Sequence, residues 1–391
     1  MNKNILHTEV QDFINGNLHS NTSKLLFKGS PFKHVTIQEI VEQIEAKKKA
    51  EKKLPTWFNT PNIYYPNKLN IEQTSSEISA AYKATLVSGV SLIDLTGGFG
   101  VDTFYFSKKI DHIHYCELDA ELAAIVAYNF KLFNAKNIDV HAVDGIRFLQ
   151  QNNSLFDWIF LDPSRRDSSK GRVFLLQDCI PNVPENLELL FEHCDNILLK
   201  ASPMLDITQG IKELKWIKEI QVVAVENEVK ELLFILQKHY EGKSLLKAVH
   251  LYKNNLEIVE SNVYIVREAT YSKPQKYLYE PNTAILKAGL FNEVSIQYST
   301  NKLHVNSHLY TSDNLIDFPG RCFIIRTIIP YNKKAIKTAL PELKANITIR
   351  NFPETVAQIR KKTGLKDGGS YYLFFTTDIM DKHIVLVCTK A

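Results

Sequence analysis

No run of eighteen apolar residues occurs in this chain, so it offers no helix of bilayer length. Its opening, MNKNILHTEVQDF, lacks the apolar core of a secretory signal, and a cytoplasmic protein is expected. Five cysteines (Cys116, Cys179, Cys194, Cys322 and Cys388) are odd in number and widely spread, with no Cys-x-x-Cys pair. That pattern speaks against a disulfide framework or a zinc site, and no metal is expected. Internal repeats and low-complexity tracts are also missing. What is present is ordinary for a globular protein: 391 residues, 45% hydrophobic and 23% charged, enough for two or three domains with their own cores.

Charge is unevenly spread. The net value is +4, but from Arg321 onward there are 13 Lys/Arg against 5 Asp/Glu, leaving 34 against 38 in the preceding 320 residues. A basic tail points to a polyanionic partner or to a solvated basic face.

Residues 1–85 read mainly as helix. VTIQEIVEQIEAKKKAEKK (35–53) has helical apolar spacing and a terminal lysine run, read as a solvated helix end. LPTWFNTPNIYYPNKL (54–69) reads as a loop pinned by aromatics, and EQTSSEISAAYKATLVSG (72–89) as a capped helix entering a strand. From Val90 the rhythm becomes strand and helix in alternation. VSLIDL, HIHYCE, IDVHAV, DWIFLD and NILLKAS are short, apolar strands that do not alternate, which implies a parallel sheet covered on both faces. IKEIQVVAVE and ELLFILQKH follow too closely for a crossover and are expected to pair as an antiparallel hairpin. Further strands are expected at SNVYIVRE, EVSIQYS and KLHVNSHLY. The last unit reads as strand RCFIIRTIIP, helix YNKKAIKTALPEL, strand NITIRN, helix ETVAQIRKKTG, and strands SYYLFFTT and KHIVLVCT.

A doubly wound parallel sheet ending in an antiparallel hairpin resembles the class I S-adenosylmethionine-dependent methyltransferases over residues 70–245. The expected fold is α/β: a Rossmann-like seven-stranded sheet with an N-terminal helical region and C-terminal α+β parts. LIDLTGGFGVDT (92–103) fits a pyrophosphate-binding Gly-x-Gly-x-x-Gly poorly, since Thr103 stands third. It is similar instead to turns that receive S-adenosylmethionine: Asp94 at the strand end, then Gly97, Gly98 and Gly100. Glu117 ends the second strand, where a carboxylate accepts both ribose hydroxyls. Asp144 follows the third strand, where relatives contact the adenine amino group, and Asp162 follows the fourth. Each acid alone would read as a helix cap, but four in register imply a cofactor site.

The acceptor is less defined. WIFLDPSRRD (158–167) carries Asp162-Pro163-Ser164-Arg165 where amine methyltransferases of this fold carry Asp/Asn-Pro-Pro-aromatic, so the stacking ring is missing. Leu199-Lys200-Ala201-Ser202-Pro203 lacks the cysteine of uracil C5-methyltransferases, which disfavours covalent chemistry. Lys83, Asp162, Lys200 and Glu226 (or Glu228) match in order the Lys-Asp-Lys-Glu set of ribose 2′-O-methyltransferases. Arg165 and Arg166 could grip phosphate or pair with Asp167. Catalytic candidates are therefore Asp162, Arg165, Lys200, Lys83 and Glu226.

EQTSSE, LDPSRRD, ENEVKELL, YLYEPNTAILKAG and NITIRNFPETVAQIRKKTGLKDGGSYYLFFTT resemble the methyltransferase family that carries a C-terminal THUMP-like domain. The resemblance implies a helical region over 1–70, the methyltransferase domain over 71–248, a ferredoxin-like domain over 249–318 and the THUMP-like domain over 319–391. It implies S-adenosylmethionine as cofactor and structured RNA, tRNA or rRNA, as acceptor. The RNA would be held through Arg350, Arg360, Lys361, Lys362 and Lys366. A small-molecule or protein methyltransferase, and a non-catalytic RNA-binding or assembly factor, remain as alternatives.

Overall fold

The computed structural model describes residues 1–165, 174–252, 255–263, 265 and 267–391, with Arg165 described by its backbone alone. The chain divides into two compact units, Met1–Ile220 with Glu231–Gly242, and Gln221–Lys230 with Lys243–Ala391.

The first unit opens with helices α1 (Thr8–Gly16), α2 (Thr22–Lys28), α3 (Ile37–Lys53), α4 (Pro55–Asn59), α5 (Lys68–Gln73) and α6 (Glu77–Ala84). A capping box starts α3: the Thr36 hydroxyl accepts from the Glu39 N–H while the Glu39 carboxylate accepts from the Thr36 N–H. Its lysine run is partly engaged, since buried Lys47 donates to Asn15 Oδ1 at 2.7 Å and Lys53 to the carbonyls of Ile71 and Glu72. The stretch expected as a loop at 54–69 contains α4, which starts on Pro55, whose fixed φ suits a first helical turn. Trp57 on α4 is 1% exposed and sits edge-on to Phe104 at 5.1 Å and Phe133 at 4.8 Å. Asn129 closes the contact by exchanging two hydrogen bonds with the Tyr64 backbone.

The sheet follows as β1 (Ser91–Asp94), α7 (Val101–Phe106), β2 (His112–Cys116), α8 (Ala120–Leu132), β3 (Ile138–His141), α9 (Gly145–Gln151) and β4 (Trp158–Leu161). A two-residue ribbon, β5 (Ser164–Arg165) with β6 (Cys179–Ile180), leads to α10 (Val183–His193), β7 (Asn196–Ala201) and α11 (Ile207–Glu213). The hairpin β8 (Ile217–Val225) and β9 (Glu228–Gln237) completes it. Strand order is β8-β9-β7-β4-β1-β2-β3, parallel from β7 to β3, with β9 antiparallel to β7. Order reverses between β1 and β4, so the crevice beyond their carboxyl ends is where a ligand binds in such sheets. Glu226 and Asn227 turn the hairpin with φ of 50° and 63°, the two left-handed positions of a primed turn.

The second unit begins with the hairpin β10 (Leu245–Tyr252) and β11 (Asn255–Asn262). It continues with β12 (Tyr277–Pro281), α12 (Thr283–Ala288), α13 (Phe291–Gln297), β13 (Asn301–Lys302) and β14 (Tyr310–Ser312). The last elements are β15 (Gly320–Pro330), α14 (Lys333–Ala339), β16 (Asn346–Arg350), α15 (Val356–Thr363), β17 (Tyr371–Thr377) and β18 (His383–Lys390). One sheet, ordered β13-β14-β12-β15-β18-β17-β16, holds seven of these strands.

Three expected strands differ. EVSIQYS is the helix α13: Leu290 and Val294, four apart, are buried, whereas Ile296 is 40% exposed, so the 3.6-residue period wins over alternation. KLHVNSHLY is a turn between two short strands, with His308 left-handed at φ 50° and Val305 53% exposed. At SNVYIVRE, β11 stops at Asn262 and no strand follows among the described residues to Glu268.

Trp57→Ala leaves a large void beneath α4 and should cost about 3–5 kcal/mol, read by denaturant unfolding at unchanged m-value.

Candidate cofactor and acceptor site

At the end of β1, Asp94 is 1% exposed. Its carboxylate accepts from the Thr96 N–H at 3.0 Å and the Thr103 hydroxyl at 2.5 Å, tying the turn to α7. Burial pushes its pKa up to about 7; these two hydrogen bonds oppose the rise, and nearby Asp102 and Asp162 add to it. The glycines are dictated by contact. A Cβ on Gly97 would lie 2.1 Å from the Tyr115 ring, and one on Gly100 2.7 Å from Phe130, with φ there at +72°. Gly98 also has positive φ, +57°, but a Cβ there would meet nothing nearer than 3.8 Å, so the turn is open on that side. Beneath it, the Glu117 carboxylate accepts from the Gly98 N–H through Oε2 and the Asp119 N–H through Oε1, both at 2.8 Å. Asp144 caps α9 by accepting the Arg147 N–H at 2.9 Å, and Gly145 follows where a Cβ would strike the Leu95 carbonyl. Leu118, beside Glu117, is 69% exposed. Sequence reading passed over it; its signal is an apolar residue directly after a strand-end acid.

On the other side of the reversal, Asp162 and Lys200 stand at the ends of paired strands β4 and β7 and form a direct ion pair. The Asp162 N–H donates to Thr96 Oγ1 at 2.7 Å, which joins this loop to the glycine turn. Burial acts to lower the Lys200 pKa, but the carboxylates of Asp162, Glu231 and Asp102 outweigh it and the net shift is upward. Lys83, on α6, is wholly buried. It donates to Glu231 Oε2 at 2.7 Å, Ser75 Oγ at 2.9 Å and Ser79 Oγ at 3.1 Å, and lies 3.0 Å from Asp102 Oδ1 outside hydrogen-bond geometry. Burial raises the Asp102 pKa against the pull of Lys83 and Lys200. For Glu231 burial also acts upward, but the same two lysines and their hydrogen-bonded neighbours leave it lowered.

The structure thus gathers Asp94, Gly97, Gly98, Gly100, Glu117, Asp144, Asp162 and Lys200 at the carboxyl ends of β1, β2, β3, β4 and β7, with Lys83 joined to them through Asp102 and Glu231. Glu226 is elsewhere, exposed in the hairpin turn, and Glu228 pairs with Lys230. The carboxylate that meets Lys83 is Glu231, which faces inward from β9 and was missed because residues nearer the turn matched the expected spacing. Arg166 and the Arg165 side chain lie outside the described residues. In the second unit Arg350 pairs with buried Glu280, Arg360 with Asp367 and Lys362 with Glu354. Lys361 and Lys366 are exposed, with no carboxylate partner among the described residues. No described helix is long and apolar enough to cross a membrane, and no described His/Cys/Asp/Glu group is arranged to hold a metal.

Family models match a ferredoxin-like domain over residues 277–319 and a THUMP-like domain over 320–390. The crystal structure of a candidate methyltransferase from Porphyromonas gingivalis W83 is 31% identical and superposes with a TM-score of 0.88, covering 100% of this chain and 98% of that one. The chain belongs to the methyltransferase family with a C-terminal THUMP-like domain. M. capricolum TrmK with S-adenosylhomocysteine is 12% identical at a TM-score of 0.33, over 45% of this chain and 70% of that one. A structure named as an RNA methyltransferase candidate from Pyrococcus horikoshii is 15% identical at 0.31, over 49% and 98%. No curated protein matches the sequence.

Two consequences follow for this methyltransferase-family protein. Lys83→Met leaves Glu231 and Asp102 without their nearest counter-ion and should cost about 3–5 kcal/mol in chemical denaturation. Asp94 holds its proton in the fold up to about pH 7, far above its ordinary 3.8. Its contribution is therefore full below about pH 4, falls as pH rises towards 7 and is level beyond. In unfolding curves, the stability of the natural protein relative to Asp94→Asn should decline across that window and then stay flat.

Proposed function

We propose that this protein transfers a methyl group from S-adenosylmethionine to structured RNA, tRNA or rRNA, in the cytoplasm. The observation that carries the reading is the glycine turn seated on the Glu117 carboxylate, open on the side of Gly98. Each Glu117 oxygen holds one backbone N–H and keeps a lone pair for a ribose hydroxyl. Leu118 offers an exposed apolar surface for a purine face, and Asp144 a carboxylate for its amino group. Bound, the cofactor would supply a methyl group on a positively charged sulfur. Asp94, whose burial raises its pKa to about 7, would ionise more readily beside that positive charge.

Asp162 and Lys200 are assigned to the acceptor side, with Arg165 beside them in β5. Lys83 is assigned to holding the site together. An RNA acceptor is favoured by the basic second unit, where Lys361 and Lys366 are placed to meet phosphates without reading sequence.

The decisive assay incubates the purified protein with tritium-labelled S-adenosylmethionine and RNA from a strain lacking the gene, then separates tRNA, rRNA and protein. Label in one RNA class is expected. Label in protein or small molecules alone would remove RNA as acceptor, and cofactor binding with no label anywhere would leave a binding or assembly factor. Glu117→Ala should weaken cofactor binding roughly tenfold to hundredfold by calorimetry, the scale of one or two lost charge-assisted hydrogen bonds.

A further inference from the structure

We propose that the acceptor atom is the exocyclic amine of a nucleobase, bound by Asp162 between Ile180 and Met204, and not a ribose hydroxyl; this rests on the methyl-transfer reading above. A hydroxyl needs a base to take its proton as it attacks, and the two lysines that could serve are both committed as ammonium ions. Lys83 has no solvent access, and its three N–H donors are spent on Glu231, Ser75 and Ser79. Lys200 is paired directly to Asp162, and its side chain is 13% exposed. Three carboxylates hold it protonated. Neither nitrogen has a lone pair to offer.

What the site presents instead is a hydrogen-bond acceptor. Asp162 gives Oδ2 to Lys200, and its Oδ1 has no partner among the described residues, on a side chain that is 34% exposed. A free carboxylate oxygen fits an N–H donor. Two exposed apolar side chains belong to the segments that adjoin Asp162 in the chain and the sheet. Ile180, 49% exposed, lies in register opposite Ser164, two residues beyond Asp162. Met204, 71% exposed, follows the end of β7, its N–H held by Ser202 Oγ. Aliphatic and thioether surfaces suit the flat faces of a heteroaromatic ring, which a ribose lacks. They are assigned the stacking role that Ser164 and Arg165, in place of a Pro-aromatic pair, do not supply. The amine lone pair forms the new N–C bond while the C–S bond breaks, its electron pair staying on sulfur as a thioether. The surplus proton on nitrogen leaves to water after transfer, and Asp162 serves as the hydrogen-bond acceptor that orients the amine.

The test digests the labelled RNA to nucleosides, with alkaline hydrolysis in parallel to reveal 2′-O-methyl groups as alkali-stable dinucleotides. Label on a base amine is expected, with kcat/KM flat from pH 7 to 9. Asp162→Asn, which keeps an acceptor oxygen, should retain activity within about tenfold, whereas Asp162→Ala should lose about a hundredfold. Alkali-stable dinucleotides, label on a ring carbon, or a rate rising about tenfold per pH unit would overturn the assignment and leave the methyltransferase intact. Absence of label from every RNA fraction would overturn both.

Discussion

An ammonium group without water is tolerated only where other groups replace its whole hydration shell, and Lys83 meets that condition through Glu231, Asp102, Ser75 and Ser79. Those partners come from β9, from α7, from α6 itself and from the segment leading into it. One side chain therefore fixes three elements that are far apart in sequence. It sets how deep β9 sits, and so places Glu231 where it acts on Lys200. It also holds α7, into which the glycine turn leads. Had Lys83 been apolar, the acids around it would have had to leave or take up protons.

A second coupling is shorter. Thr96 donates its N–H to Asp94 and accepts the Asp162 N–H on its hydroxyl. The glycine turn proposed to hold the cofactor and the loop proposed to hold the acceptor thus share one residue, and a shift of either is felt by the other. In-line transfer tolerates little misplacement, so a rigid bridge between the two half-sites has direct chemical value.

The sheet was legible because buried parallel strands announce themselves as unbroken apolar runs, and each acid proposed for the cofactor stands at a strand end. Glu231 was not legible in that way. From sequence, Glu226, Glu228 and Glu231 are three acids near one turn, and only burial tells them apart. Lys83 was legible as a candidate but not as a saturated ion, because saturation depends on Ser75, Ser79 and Asp102 arriving together. Among the expected strands, EVSIQYS shows how a short segment satisfies both periods, so that its neighbour Leu290 decides the outcome. KLHVNSHLY failed differently, since His308 takes a left-handed conformation that strand reading does not anticipate.

The segment matched as ferredoxin-like and the segment matched as THUMP-like contribute strands to a single sheet, with β12 hydrogen-bonded to β15 along five residue pairs. The boundary between the two matches falls at Gly320, where a Cβ would lie 2.1 Å from the Glu280 carbonyl, the tightest point of that pairing. Arg350 on the far strand β16 also returns to Glu280 on β12. Two recognisable modules are in this respect one object. Cutting between them would tear a ladder of backbone hydrogen bonds and expose two bare strand edges, so neither segment closes a sheet of its own.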